Sequence, residues 1–180
     1  MSTRLAKQVG KALKSRGMML ATAESCTGGG IAHAITKVPG SSEWFDRGFV
    51  TYSNTSKEEM LGVAPHTMKN HGAVSEPIAR EMADGALQYS RAQISLAVTG
   101  IAGPTGGTPE KPVGTVWFAW VCKGKAYTVC HHIAGDRDAI RLKATRIALQ
   151  GVLDLLNSHP LKVPKSQKNE RSMQKRIDMQ

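Results

Sequence analysis

The sequence is poor in the features that mark several large functional classes. Aromatic residues make up only 5% of its 180 residues, too few for the stacked-base platforms of single-strand nucleic-acid binders. No apolar run approaches the ~20 residues of a membrane-spanning helix, so no membrane partner is expected. Met1 to Lys14 lack a basic stretch followed by an apolar one, so no secretory signal is expected. The three cysteines, Cys26, Cys122 and Cys130, are odd in number and lack metal-ligand spacing. They fit free thiols in a reducing cytoplasm and predict no metal centre. Neither G-x-x-x-x-G-K-[ST] nor G-x-G-x-x-G with a trailing acid occurs. That weighs against a P-loop or a dinucleotide fold.

What the sequence does have is positive charge, a formal net +10. Such an excess raises nucleic acid as a partner. Much of it sits at the end, where Lys162, Lys165, Lys168, Arg171, Lys175 and Arg176 face only Glu170 and Asp178. This stretch follows Pro160 and Pro164 and has few core-forming residues. Residues 159–180 therefore read as a basic, disordered tail, residues 1–158 as one domain, and nucleic acid as an unlikely partner.

Apolar spacing predicts helices over 3–16, 26–37, 75–90 and 137–157, with shorter ones from about 55 to 61 and from 64 to 70. Ser75 and Asp136 are expected N-caps, and Thr55…Glu58 and Ser56…Glu59 both fit a capping box. Strands are expected over 18–23, 45–52, 94–99, 114–121 and 126–133, the last two joined by a turn at Lys123-Gly124-Lys125. Strands separated by helices imply a sheet covered on both faces. The fold class is α/β: a three-layer α/β/α sandwich with a mixed, mostly parallel sheet and an antiparallel C-terminal hairpin.

Three loops leave the C-terminal ends of predicted strands, at 24–30, 52–57 and 99–113. In open α/β sheets ligands bind at that edge. The first loop, Glu24-Ser25-Cys26-Thr27-Gly28-Gly29-Gly30, carries two hydroxyls and a thiol beside a helix start. Ser25 is either an N-cap or a nucleophile next to backbone donors for an oxyanion. Cys26 competes, but no histidine motif is tied to it. In the second loop, Tyr52 ends a strand and Lys57 stands in the first turn of a helix. A lysine there opposes the helix dipole, and partial burial would lower its pKa and free a lone pair. It would then deprotonate Ser25 directly or through Tyr52; otherwise it is a surface charge beside Glu58 and Glu59. The third loop, from Thr99 through Gly103 to Gly107, suits close backbone approach to a polar ligand, and its length favours a functional role.

Together, Thr22-Ala23-Glu24-Ser25-Cys26-Thr27-Gly28-Gly29, Val50-Thr51-Tyr52-Ser53-Asn54…Lys57, Ala73-Val74-Ser75, Ala97-Val98-Thr99-Gly100-Ile101-Ala102-Gly103-Pro104 and Pro112-Val113-Gly114-Thr115-Val116 resemble the CinA C-terminal domain family. The resemblance covers roughly residues 5–157. It implies deamidation of nicotinamide mononucleotide (NMN) to nicotinate mononucleotide and ammonia in the pyridine nucleotide (NAD) cycle, without cofactor or metal. It places the family's nucleophile on Ser25 and its Tyr and Lys on Tyr52 and Lys57. Backbone groups of Cys26, Thr27, Gly28 and Gly29 would hold the oxyanion. Asn54, Thr99, Gly100, Ala102 and Gly103 would hold substrate. Arg47, Arg137 and Arg141 are the cations considered for its phosphate. The expected setting is cytoplasmic, with NMN as ligand and further copies of the chain as a homo-oligomer. A catalytically silent nucleotide-binding or regulatory module is the alternative, and a nucleic-acid-associated protein the third reading.

Overall fold

The computed structural model of the chain describes residues 2–157; the tail expected at 159–180 lies outside them. In chain order the elements are α1 (Ser2–Lys14), β1 (Leu20–Glu24), α2 (Gly30–Thr36), a 3₁₀ turn (Ser41–Glu43), β2 (Phe45–Val50), α3 (Asn54–Leu61), α4 (Pro65–His71), α5 (Glu76–Gln88), β3 (Ile94–Gly100), β4 (Thr115–Cys122), β5 (Lys125–His132) and α6 (Arg137–Leu156). No helix among the described residues is long and apolar enough to cross a membrane.

The five strands form one mixed sheet in the order β2-β1-β3-β4-β5. β1 runs parallel to both β2 and β3. β4 is antiparallel to β3 and to β5. The hairpin turns on two residues, Lys123 and Gly124, both at positive φ (52° and 71°), as a type I′ turn requires. The turn expected over three residues is thus one shorter, because Lys125 already pairs with Cys122.

Side chains alternate across the strands, and the two faces are built differently. Leu20, Ile94, Leu96, Val98, Phe118 and Trp120 face α1, α2 and α6. Ala21, Ala23, Ala97 and Ala119 face α5, with Leu61 of α3 and Met68 of α4 beside it. Small residues on that face let α5 approach closely enough for the Ser95 hydroxyl to donate to the Ala83 carbonyl at 2.6 Å. On the large-residue face, Trp120 packs on Gly151 of α6 and donates from Nε1 to Ala148 O at 3.0 Å. Trp44 lies in the same way on Gly10 of α1.

Three helix starts differ from expectation. α2 begins at Gly30, four residues later than the predicted start at 26. Gly28 and Gly29 take φ of 57° and 88°, outside the helical region, so Cys26–Gly29 stay a turn. α3 is capped by Ser53, whose side chain accepts from Ser56 N–H in a capping box. The two boxes read from Thr55 and Ser56 fall inside the helix. Ser75 stands at the N-cap of α5, yet its hydroxyl donates back to Gly72 O instead of capping.

Candidate active site

The sheet ladder runs straight into the site. Ser25 N–H donates to Val98 O and Thr51 N–H donates to Glu24 O, each at 2.9 Å, so one more rung forms on either side of β1. The chain then turns through Cys26–Gly29, and Ser25 is left at the sheet edge, 8% exposed. α3 starts three residues beyond Thr51 and carries Lys57 on its inner side, 1% exposed. Lys57 Nζ lies 3.0 Å from Ser25 Oγ and donates to Thr51 O at 2.8 Å, with Ser53 O at 3.5 Å. No carboxylate pairs with Lys57 among the described residues. Burial therefore holds its pKa below the ordinary lysine range, opposed weakly by Cys26.

The Ser25 hydroxyl is engaged by Lys57, and helix capping is done by Glu24. Its carboxylate is buried and accepts from Thr27 Oγ1 (2.8 Å), Ile31 N–H (3.0 Å) and Ala32 N–H (2.8 Å). The first-turn amides of α2 are thus taken and are not open to an oxyanion at Ser25. Gly28 N–H donates to Ser25 O at 3.0 Å, which engages it as well. The N–H groups of Cys26 and Thr27 donate to no backbone carbonyl among the described residues. The Cys26 thiol is pushed up to about 12, chiefly by burial, and is protonated at neutral pH.

Ser25, Cys26 and Lys57 open into a cleft of about 290 Å³, at the lower end of the ~300–1,000 Å³ usual for small-molecule sites. Tyr52, Asn54, Thr99, Gly100, Ala102 and Gly103 line it too, so the three loops meet as expected. Thr27, Gly28 and Gly29 lie behind the turn and do not line it. The Thr99 hydroxyl donates to Ala73 O at 2.8 Å, so it fixes the opposite wall of the cleft. Tyr52 is 60% exposed, and its hydroxyl accepts from Arg137 Nη2 at 2.7 Å. Arg137 Nη1 donates to Gly103 O at 2.8 Å, tying the start of α6 to the third loop.

Of the three arginines considered for a phosphate, Arg137 alone lines the cleft. Arg141 reaches Thr27 O at 3.2 Å from behind, and Arg47 pairs with Asp46. Among the described residues Lys57 and Arg137 are the cations of the cleft, and no acidic residue lines it. Sequence reasoning missed Glu24 as the cap. An acid just ahead of a glycine-rich helix start is the signal that could have found it. It also missed Ala73 and Val74 as cleft wall, which no local pattern marks.

A family described as the CinA C-terminal domain matches residues 2–156. The nicotinamide-nucleotide amidohydrolase PncC of Escherichia coli (strain K12) is 56% identical over 147 residues, covering 81% of this chain and 89% of the relative. PncC of Pseudomonas putida is 48% identical over 153 residues, covering 85% and 96%. Among solved structures, the competence/damage-inducible protein of Agrobacterium tumefaciens superposes with a TM-score of 0.84 at 47% identity, covering 87% of this chain and 95% of that one. A CinA superfamily protein of Klebsiella pneumoniae gives 0.85 at 39%, covering 88% and 99%. Fold, motifs and similarity agree along almost the whole described chain, which belongs to the CinA C-terminal domain family.

Proposed function

We propose that this protein is an amidohydrolase that converts NMN to nicotinate mononucleotide and ammonia, with Ser25 as nucleophile. The observation that carries this is the buried 3.0 Å contact between Lys57 Nζ and Ser25 Oγ at the floor of an acid-free cleft. The names of the similar PncC proteins supply the substrate.

In the neutral amine, two N–H groups point to Thr51 O and Ser53 O, and the lone pair faces the Ser25 hydroxyl. Ser25 Oγ attacks the carboxamide carbon and its proton passes to Lys57. The oxyanion is held by the N–H group of Cys26, the turn residue that lines the cleft beside Ser25. The tetrahedral adduct collapses as the Lys57 ammonium returns the proton to nitrogen, and ammonia leaves an acyl ester on Ser25. Water then attacks this ester and gives a proton to Lys57. Lys57 protonates the departing Ser25 oxygen, and nicotinate mononucleotide is released. Arg137 and Tyr52 stand at the cleft mouth, where the guanidinium binds the substrate phosphate and the phenol orients it. Asn54 and the Thr99–Gly103 backbone hold the remainder.

Such an activity belongs in the pyridine nucleotide (NAD) cycle of the cytoplasm, and cysteines that form no disulfide among the described residues suit a reducing compartment. Assembly as a homo-oligomer is tested by sedimentation. Purified protein mixed with NMN should release ammonia stoichiometrically with nicotinate mononucleotide. No release by the wild type refutes the activity; release that survives Ser25→Ala refutes the nucleophile.

A further inference from the structure

A second concavity, of about 770 Å³, lies between α1, the end of β5 and α6. It shares no lining residue with the Ser25 cleft. Its floor is apolar, from Leu5, Ile133 and Ile147, and its rim is cationic, from Arg4, Lys143 and Arg146. Among the described residues no aspartate or glutamate lines it.

The three rim cations come from two helices, and none is in an ion pair among the described residues. Lys143 is held over the groove by donating to Ala134 O at 2.6 Å. Like charges brought together without a counter-charge repel one another, and an anion that bridges them removes that repulsion. Guanidinium groups supply the planar donor forks that match phosphate oxygens. Beside the cations, His131 is half-buried and stands edge-on to Phe118. Burial and the neighbouring His132 hold its pKa below the ordinary histidine range. His131 thus favours its neutral form beside the apolar floor. A cationic rim over an apolar floor fits a ligand with a phosphate at one end and an uncharged body at the other.

We propose that this groove is a second ligand site, for a phosphate-bearing small molecule of nucleotide size. The site is independent of the amidohydrolase reading, because it uses none of the residues of the Ser25 cleft.

Titration calorimetry on the full chain tests it, with AMP and inorganic pyrophosphate as separate probes. Saturable binding is expected, weakened at least tenfold in Arg4→Gln/Arg146→Gln and several-fold in Arg4→Gln alone. Arg4 is exposed, so the single variant leaves the fold intact, and circular dichroism checks the double variant. Tighter binding of AMP assigns the site to nucleotides; tighter binding of pyrophosphate assigns it to free phosphate chains. Binding by neither probe, or binding unchanged in both variants because it resides in the cleft or the basic tail, overturns the proposal. Ammonia release from NMN is measured in parallel, so a failed groove is told apart from a failed enzyme.

Discussion

Lys57 Nζ meets Ser25 Oγ at 3.0 Å, across a gap of 32 residues in sequence. The pair is buried, and among the described residues no carboxylate is bound to the amine. Lys57→Met keeps the length and apolar stem and removes the base. We expect kcat for NMN to fall by roughly 10²–10⁴-fold, the usual worth of a positioned general base. Lys57→Arg should not restore it, since a guanidinium stays protonated. Steady-state ammonia release measures both.

The depressed Lys57 pKa sets the sign of two pH effects. Activity should rise with pH as the amine loses its proton, with a midpoint below the 10.5 of a free lysine. Folding stability should rise over the same window, because the unfolded chain there binds a proton that the folded chain does not. Below the folded pKa the burial of an ammonium is a constant cost; above 10.5 it is gone. Urea titrations at several pH values should show this slope in the wild type and lose it in Lys57→Met.

Tyr52 and Arg137 act at the mouth of the cleft rather than at its floor. Arg137→Gln should raise KM about tenfold or more with a smaller change in kcat, the pattern of lost substrate binding. Tyr52→Phe removes the phenol that accepts from Arg137 and should shift KM in the same direction by less. A kcat loss in Tyr52→Phe equal to that of Lys57→Met would instead make the phenol the proton carrier.

Glu24 positions the nucleophile turn through three hydrogen bonds. Glu24→Ala should cost about 2 kcal/mol or more, because Ile31 and Ala32 N–H lose their partner. Glu24→Gln keeps the shape but puts a donor where an acceptor is needed. We expect it to lower kcat with KM little changed and the fold retained, and Glu24→Asp to recover part of the loss.

Gly85 is the contact point between α5 and the end of α3. A Cβ there would run into the Leu61 carbonyl, which cannot yield without shifting the helix that carries Lys57. Gly85→Ala should destabilise by roughly 1–3 kcal/mol and reduce activity beyond what stability explains. Thermal melts beside ammonia assays separate the two effects.

The layers, the strand order in time and the three-loop cleft are legible in the sequence because periodicity of apolar residues is local. Ile94–Thr99 can hardly be anything but a buried strand, and loops that leave parallel strands must gather at one edge. The capping of α2 is not legible in that way. It depends on a carboxylate reaching seven and eight residues ahead, around two glycines at positive φ, and on a lysine from α3 claiming Ser25 first. Arg137 lies 85 residues from Tyr52, and only the packing of α6 along the sheet brings them together. The side-chain cap of α3 falls at Ser53 instead of Thr55 or Ser56 because three hydroxyls in four residues offer nearly equal candidates.

Ser25 and Thr51 each donate the hydrogen bond that closes the central ladder, to Val98 and from beside Lys57 to Glu24 respectively. Ser25, and the Thr51 carbonyl that holds Lys57, therefore sit on the central ladder, the part of a fold whose amides open last. Arg137 and Gly103, by contrast, are tied by one side-chain contact at the surface. Mild denaturant should thus impair capture of the ligand long before it disturbs the alignment of the hydroxyl and the amine. The enzyme would lose its grip while its chemistry was still intact.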